Sequence, residues 1–165
     1  MKSRTMTYLL LSIFMIFLAD ASVFGEDYEA LKGVQSVKAI FDFRIGNPES
    51  AVVHLDLIQQ TFKDKSIRNV TKDPEFVVVF IGPSVKLVST NTAGFSDKEK
   101  ESLKRVAEIL RAMKKDGIRL EICMFAAHFL GVAPATILPE IHQVGNGWIS
   151  LTGYQAKGYS LVPAY

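Results

Sequence analysis

The stretch IRLEICMFAAHFLGV, residues 118–132, joins two kinds of secondary structure at a single cysteine. Residues 118–122 predict a strand. The mostly apolar residues 124–130 predict a short helix, which Gly131 would end. A strand that leads directly into a helix is the repeating unit of a parallel α/β sheet, so this stretch favours that fold class.

The rest of the chain repeats this alternation. Predicted strands cover residues 37–43, 76–81, 118–122 and 159–162, and predicted helices begin near residues 48, 96, 124, 134 and 148. Asn47 can cap a helix whose first residue is Pro48, and Ser96 with Glu99 forms a capping box for a helix that Gly117 would end. The run FVVVFI at 76–81 lacks alternation and predicts a central strand covered on both faces. The sequence predicts a three-layer α/β sandwich with a mainly parallel sheet of about five strands and helices on both faces.

The first residues do not belong to that domain. Lys2 and Arg4 precede a short apolar stretch at residues 8–19, which small residues follow. This is the pattern of a secretory signal peptide, and the stretch is short for a membrane span, which needs about 20 apolar residues. The predicted division is a signal peptide at 1–25, cleaved after Ala21 or Gly25, and a single domain at 26–165. We expect a periplasmic or secreted protein with no membrane contact after cleavage; an uncleaved anchor is the alternative.

Composition and motifs exclude several function classes. The 165 residues include one cysteine, 19 basic and 17 acidic residues, for a formal charge of +2. This balance gives no electrostatic footprint for nucleic acid, and one cysteine cannot build an intrachain disulfide or a cysteine-based zinc cluster. Neither HxxxH, GxGxxG, GxxxxGK[ST] nor GxSxG occurs, so we expect no metal, no cofactor, no nucleotide-dependent chemistry and no serine hydrolase.

Cys123 is the residue with the clearest chemical potential. In parallel α/β sheets, ligands usually bind beyond the carboxyl ends of the strands, which is where Cys123 is expected. The unpaired N–H groups at a helix start favour a thiolate, which is the nucleophilic form. Apolar neighbours such as Met124 and Phe125 favour an inert, packed thiol instead, and both interpretations stay open. His128, five residues further on, does not share a helix face with Cys123, so a Cys–His pair is not expected.

Other residues near predicted strand ends could complete a site around this thiol. The backbone N–H groups of Phe125 and Ala126 would hold a thiolate or persulfide, and Ser84, Lys86 and Asn91 would line the mouth. The segment at 90–94 is either a lid or a connecting loop. The full set of candidate binding residues is Asn47, Ser84, Lys86, Asn91, Phe125, Ala126 and His128.

Four segments in this order resemble the DsrE/DsrF-like sulfur-relay family, in its secreted, uncharacterised branch. They are FDFRIGNP at 41–48, VVFIGPSVKL at 78–87, IRLEICMFAAHFLGV at 118–132 and NGWISLTGYQAKGY at 146–159. The resemblance covers about residues 36–163 and implies a compact α/β subunit that assembles into trimers or hexamers. It further implies a sulfurtransferase activity in which Cys123 accepts sulfur from a donor protein as a persulfide and passes it to an acceptor protein.

A non-catalytic module is the alternative interpretation. In it, an oligomeric domain binds a small ligand or a partner, and Cys123 only packs. Phe125, Phe129 and Trp148 would then line an apolar pocket or a subunit contact.

Overall fold

The computed structural model describes residues 28–165, of which Gly33–Tyr165 form one compact unit. A single 3-10 turn, Glu29–Leu31, precedes that unit. The predicted signal peptide and both of its cleavage sites lie outside the described residues. None of the helices within 28–165 combines the length and apolarity needed to span a membrane.

Five parallel strands form one sheet in the order β4-β3-β2-β1-β5. The strands are β1 (Lys38–Phe43), β2 (Glu75–Phe80), β3 (Arg119–Cys123), β4 (His142–Val144) and β5 (Ser160–Ala164). The α-helices are α1 (Pro48–Lys63), α2 (Lys65–Val70), α3 (Asp97–Asp116), α4 (Met124–Phe129) and α5 (Gly147–Ala156), and two 3-10 helices span Gly82–Val88 and Pro134–Thr136. The predicted α/β fold is therefore confirmed, and every strand pair is parallel.

The chain direction across the sheet decides which face each helix covers. From β1 to β2 and from β2 to β3 the chain moves to the next strand in the same direction across the sheet. Because both crossovers are right-handed, α1 and α3 lie on the same face of the sheet. On that face the ring of Phe62 in α1 meets the ring of Phe76 edge-on, at 5.3 Å between centroids. The path from β4 to β5 returns across the sheet, and α5 covers the opposite face, where Tyr154 contacts Glu121 of β3.

Strand β2 forms the centre of the core. Its residues from Phe76 to Phe80 are all at most 3% exposed, so both faces of the strand are covered. The Phe80 ring lies 5.2 Å from that of Phe43 on the neighbouring strand. This burial confirms the interpretation of the unalternating run at 76–81.

The predicted helix ends are confirmed by their caps. The Asn47 side chain accepts a hydrogen bond from the N–H of Ser50 at 2.8 Å and starts α1. Ser96 and Glu99 form the reciprocal capping box at the start of α3. Gly117 ends α3 with φ of 96°, a left-handed conformation that costs glycine little.

Three details differ from the sequence prediction. Cys123 is the last residue of β3 rather than the residue after it, and α4 begins at once with Met124. Strand β4 was not resolved from the sequence because three residues are too few to show a period. Helix α2 and the 3-10 helix at Gly82–Val88 were also not predicted.

An ion pair with a tyrosine joins three strands at the amino ends of the sheet. Glu75 pairs with Lys38 at 2.7 Å and accepts a hydrogen bond from the hydroxyl of Tyr159 at 2.6 Å. The hydrogen bond from Lys38, followed by that from Tyr159, lowers the pKa of Glu75. A lowered pKa in the folded state means that the stabilisation is present above the unfolded value of about 4.3 and is lost as the pH falls through the folded value.

We therefore expect Glu75→Gln to flatten the acid side of the stability profile. Urea midpoints measured from pH 7 to pH 3 should fall less steeply below about pH 4.3 for this variant than for the wild type. Glu101→Gln is the matched control, because Glu101 pairs only with Lys104 within the exposed face of α3. Profiles of identical shape for the wild type and Glu75→Gln would contradict this role.

Candidate functional site

Cys123 lies at the wall of a mainly apolar cavity of about 450 Å³ at the carboxyl ends of the strands. The residue is 3% exposed and its thiol is free. The cavity is lined by Ile81, Gly82, Pro83, Cys123, Phe125, Ala126, Phe129, Leu130, Asn146 and Trp148. Its position agrees with the general rule for ligand sites in parallel sheets.

Three connections that follow β2, β3 and β4 build this cavity. Residues 81–83 leave β2 and enter a 3-10 helix, residues 125–130 belong to or follow α4, and residues 146–148 start α5. The Asn146 side chain accepts a hydrogen bond from the N–H of Trp148 at 2.9 Å, which fixes the start of α5 beside the thiol. The site therefore depends on three separate segments that only the fold brings together.

Gly147 allows α5 to approach Cys123 closely. A Cβ atom at this position would lie 2.9 Å from two side-chain atoms of Ile81 and 3.0 Å from the Cβ of Cys123. Contacts this short do not occur without displacement of a neighbour. The glycine is therefore required by the packing of α5 against the end of β3.

The start of α4 offers fewer free N–H groups than the sequence indicated. The N–H of Phe125 donates to the carbonyl of Gly145 at 3.0 Å and is not available to a thiolate or persulfide. Cys123 itself is the N-cap residue and makes no side-chain capping hydrogen bond. The N–H of Phe125 is thus excluded from the expected pair of backbone donors, and Ala126, the other member, lines the cavity.

Large aromatic side chains surround the opening of the cavity. We call Phe125, Phe129 and Trp148 the aromatic rim; they are 72%, 79% and 62% exposed. Ile149 extends this surface beyond Trp148 and is equally open to solvent. Contiguous exposed apolar surface of this kind typically marks an interaction site.

Three of the predicted binding residues lie away from the cavity. Asn47 caps α1, and Ser84 is fully buried with its hydroxyl hydrogen-bonded to the carbonyls of Phe43 and Ile81, at 2.7 and 3.0 Å. His128 lies on the exposed side of α4 and is not part of the cavity wall. These surroundings correct the expectation that Ser84 lines the mouth of the cavity, and they place the candidate binding residues Asn47 and His128 outside its wall.

Lys86 and Asn91 are also separated from Cys123. They lie together in a smaller polar pocket of about 160 Å³. Leu130 stands between the two spaces and lines both of them. Lys86 lies within the 3-10 helix Gly82–Val88, and Asn91 lies in the loop that follows it.

Glu121 is a buried residue near the site that the sequence did not single out. One oxygen, Oε1, accepts hydrogen bonds from Arg119 and from the hydroxyl of Tyr154, while Oε2 is buried with no hydrogen-bond partner within residues 28–165. Residues two apart on a strand share a face, so Glu121 and Cys123 both face α5. Burial, and then the charge of Glu121, raise the pKa of Tyr154. The placement of a charged residue on the covered face of a strand has no local sequence signal.

In the part of the chain that the structure describes, no three His, Cys, Asp or Glu side chains come together as a candidate metal site.

The fold and the cysteine position define a class of α/β protein with a thiol at the end of a central strand. The model of the DsrE/DsrF-like family matches residues 38–163, so the chain belongs to that family. The match covers the entire sheet except its last residue, Ala164, and includes the Cys123 cavity.

Individual relatives are distant in sequence. The chain is 24% identical over 128 residues to an uncharacterized protein of Aquifex aeolicus (strain VF5); this is 77% of the chain but 56% of that protein's length. Among solved structures, a protein of unknown function, MTH1491 from Methanobacterium thermoautotrophicum, is similar with a TM-score of 0.61 at 11% identity, over 78% of this chain and 99% of that one. The ychN protein from E. coli is similar with a TM-score of 0.50 at 12% identity, with the same coverage. At these identities the structural similarity establishes the fold alone.

Proposed function

We propose that the protein is a sulfur carrier that holds sulfane sulfur as a persulfide on Cys123. The observation that carries this proposal is the position of Cys123 in the wall of the apolar cavity at the strand ends, in a chain of the DsrE/DsrF-like family. Family membership supports the sulfur chemistry, and the cavity supplies room for a sulfur atom beyond the thiol.

The loading step is an exchange between a thiolate and a persulfide. Once Cys123 has lost its proton to solvent, its thiolate attacks the outer sulfur of a donor persulfide, R–S–SH. A new S–S bond forms to Cys123 as the S–S bond of the donor breaks. The donor leaves as the thiolate R–S⁻, and its proton stays on the transferred sulfur. Delivery to an acceptor thiolate is the same exchange in the opposite direction.

The walls of the cavity suit a reactive persulfide. Apolar side chains and restricted access limit attack by water and other nucleophiles before the acceptor arrives. Donor and acceptor proteins must reach Cys123 through the opening of this cavity. We propose that such partner proteins bring and remove the sulfur.

Release of the sulfur tests this carrier function. After incubation with polysulfide and removal of excess reagent, cyanide should attack the outer sulfur of the persulfide, form thiocyanate and restore the Cys123 thiolate. We expect one thiocyanate per chain, and the same yield from His128→Ala, because His128 does not line the cavity. A protein that yields no thiocyanate would not be a sulfur carrier.

One observation favours a second candidate function. Cys123 is 3% exposed, and α5 packs closely against it at Gly147, as expected of a packing residue. In this alternative the chain is a non-catalytic module, and its apolar cavity holds a small apolar ligand. It predicts that iodoacetamide modifies Cys123 only after the chain is unfolded, whereas the carrier function requires modification of the native protein.

We further propose that copies of this chain associate through the aromatic rim, as trimers or hexamers. The three rim residues and Ile149 are each at least 62% exposed, so a group of large apolar side chains stays uncovered in the single chain. Burial of such residues between subunits is a common source of binding energy.

Phe129→Asp should therefore dissociate the assembly. A buried aromatic residue at the centre of an interface contributes about 2 kcal/mol or more, roughly a thirtyfold change in affinity. Size-exclusion chromatography with light scattering would report the shift to monomers. Leu57→Asp, at a 58% exposed position on α1, is the control and should leave the assembly intact. A monomeric wild type, or dissociation by the control alone, would contradict this assignment.

Export is a separate part of the proposal. The basic start and short apolar stretch within residues 1–25 support a periplasmic or secreted location. Sequencing the amino terminus of protein recovered from cells should show a start at Ser22 or Glu26. An intact amino terminus would instead support the membrane anchor.

A further inference from the structure

The polar pocket that contains Lys86 and Asn91 differs in character from the Cys123 cavity. It lies between the segment that follows the 3-10 helix Gly82–Val88 and the carboxyl end of α4. The Cys123 cavity is lined mainly by apolar atoms, whereas the surface of this pocket is mostly polar. We infer that this pocket binds a small tetrahedral oxyanion, of the size of sulfate, thiosulfate or phosphate.

The charge of the pocket is positive and unbalanced. The Lys86 ammonium has no ion pair or hydrogen bond with any other residue in the range 28–165, and no Asp or Glu lines the pocket. Of the twelve lysines within residues 28–165, six have a salt bridge, as Lys63 has with Asp116 at 2.7 Å, and Lys86 is one of the six that have none. An unpaired cation in a concave surface concentrates anions from solution.

The other polar side chains of the pocket leave a hydrogen-bond donor free rather than an acceptor. The Oδ1 atom of Asn91 accepts a hydrogen bond from the N–H of Ala93 at 3.0 Å, and the amide NH₂ end has no acceptor among residues 28–165. The Ser89 hydroxyl is already used, because it donates to Thr136 at 2.8 Å and accepts from the N–H of Asn91 at 3.1 Å. An ammonium carries three donor hydrogens and a primary amide carries two, so the free groups match the oxygens of an anion.

Three carbonyls in the last turn of α4 are unavailable to oppose an anion here. Carbonyl groups at a helix end carry partial negative charge when they lack partners. The last-turn carbonyls of α4 instead accept hydrogen bonds from the N–H groups of Leu130, Gly131 and Val132, with lengths of 2.8–3.2 Å. This closure satisfies three carbonyls of α4, those of Ala126, Ala127 and His128.

The volume limits the class of ligand. At about 160 Å³ the pocket is well below the roughly 300–1,000 Å³ of sites for drug-sized molecules or cofactors. A tetrahedral oxyanion fits this space, and a nucleotide does not. Because Leu130 separates the pocket from the Cys123 cavity, the anion and a persulfide could be bound at the same time.

Calorimetric titration at low ionic strength tests this inference with sulfate, thiosulfate and phosphate as probes and chloride as the reference. We expect one oxyanion per chain, with affinity at least tenfold weaker in Lys86→Gln and in Asn91→Asp, which keeps the Oδ1 acceptor and replaces the donor end by a negative charge. Lys72→Gln, at an exposed lysine outside the pocket, should bind as the wild type does. Tighter binding of thiosulfate than of phosphate would identify the ligand of the pocket as a sulfur oxyanion. Tighter binding of phosphate would identify it as a phosphate.

Two results would overturn the inference. One is the absence of oxyanion binding above the chloride reference, and the other is unchanged affinity in folded Lys86→Gln and Asn91→Asp. Thermal melting of each variant shows that it is folded. Cys123→Ser should bind the oxyanion normally, so failure of the sulfur-carrier proposal and failure of this inference are distinguishable.

Discussion

Cys123→Ser is expected to abolish sulfur loading completely. The chain has one cysteine, so no second thiol can accept the sulfur. A serine hydroxyl cannot form a persulfide, yet it is close to a thiol in size and should leave the cavity intact. Intact-mass measurement after polysulfide treatment should show the added sulfur on the wild type and none on the variant.

Two further variants distinguish a loss of sulfur loading from a loss of folding. A hydroxyl buried without a partner costs about 1–3 kcal/mol, so Cys123→Ala serves as a second variant that buries no polar group. Circular dichroism and thermal melting establish that both are folded. His128→Ala, on the exposed side of α4, should load as fully as the wild type. Persistent loading of either Cys123 variant would place the chemistry elsewhere.

Gly147→Ala is expected both to destabilise the protein and to disturb the site around Cys123. The added methyl group would lie 2.9 Å from side-chain atoms of Ile81, which must move, and 3.0 Å from the Cβ of Cys123, so the start of α5 or the end of β3 must shift by a few tenths of an ångström. Overpacking of a close contact costs about 1–3 kcal/mol. The shift opens the contact between α5 and β3, so alkylation of Cys123 in the native state should become faster.

Gly153→Ala is the matched control, because Gly153 lies on the same helix and a Cβ there meets nothing within 4 Å. Alanine is a better helix former than glycine by about 0.5–1 kcal/mol, so this variant should gain stability. The free energies of unfolding of the two variants should therefore differ by about 1.5–4 kcal/mol. Equal stabilities from urea unfolding would show that the close approach at Gly147 is not required.

The parts of the fold with strong local signals could be predicted from the sequence. The run at 76–81 has no polar residue, and only a strand covered on both faces accommodates it. Caps are equally local, since Asn47 and the Ser96–Glu99 pair satisfy N–H groups within three residues of themselves. These signals place the helices and the central strands, and the alternation of the two then dictates the parallel sheet.

Strand β4 and the composition of the site depend instead on tertiary contacts. Three residues from His142 carry no period of their own, and they form a strand because β3 offers them hydrogen-bonding partners. Residues 81–83, 130 and 146 reach Cys123 only through the ends of three different strands. Separation along the sequence therefore does not indicate which of these residues lie next to Cys123.

The positions of the candidate residues on the segment after β2 could not be predicted from the sequence either. Ser84, Lys86 and Asn91 follow a strand whose end is near Cys123, and from this the sequence predicted that they line its mouth. The 3-10 helix at Gly82–Val88 buries Ser84 and directs Lys86 into another pocket. That 3-10 helix packs against β3 and α4, and a linear sequence does not display these contacts.

The most direct test of the central claim is peptide-level mass spectrometry of the native protein after polysulfide treatment, before and after reductant. The proposed function predicts one added sulfur atom on the peptide that contains Cys123, removed by reductant, with no change elsewhere. A Cys123 peptide that gains no sulfur in the native protein, but is alkylated after unfolding, would contradict it and leave Cys123 as a packing residue.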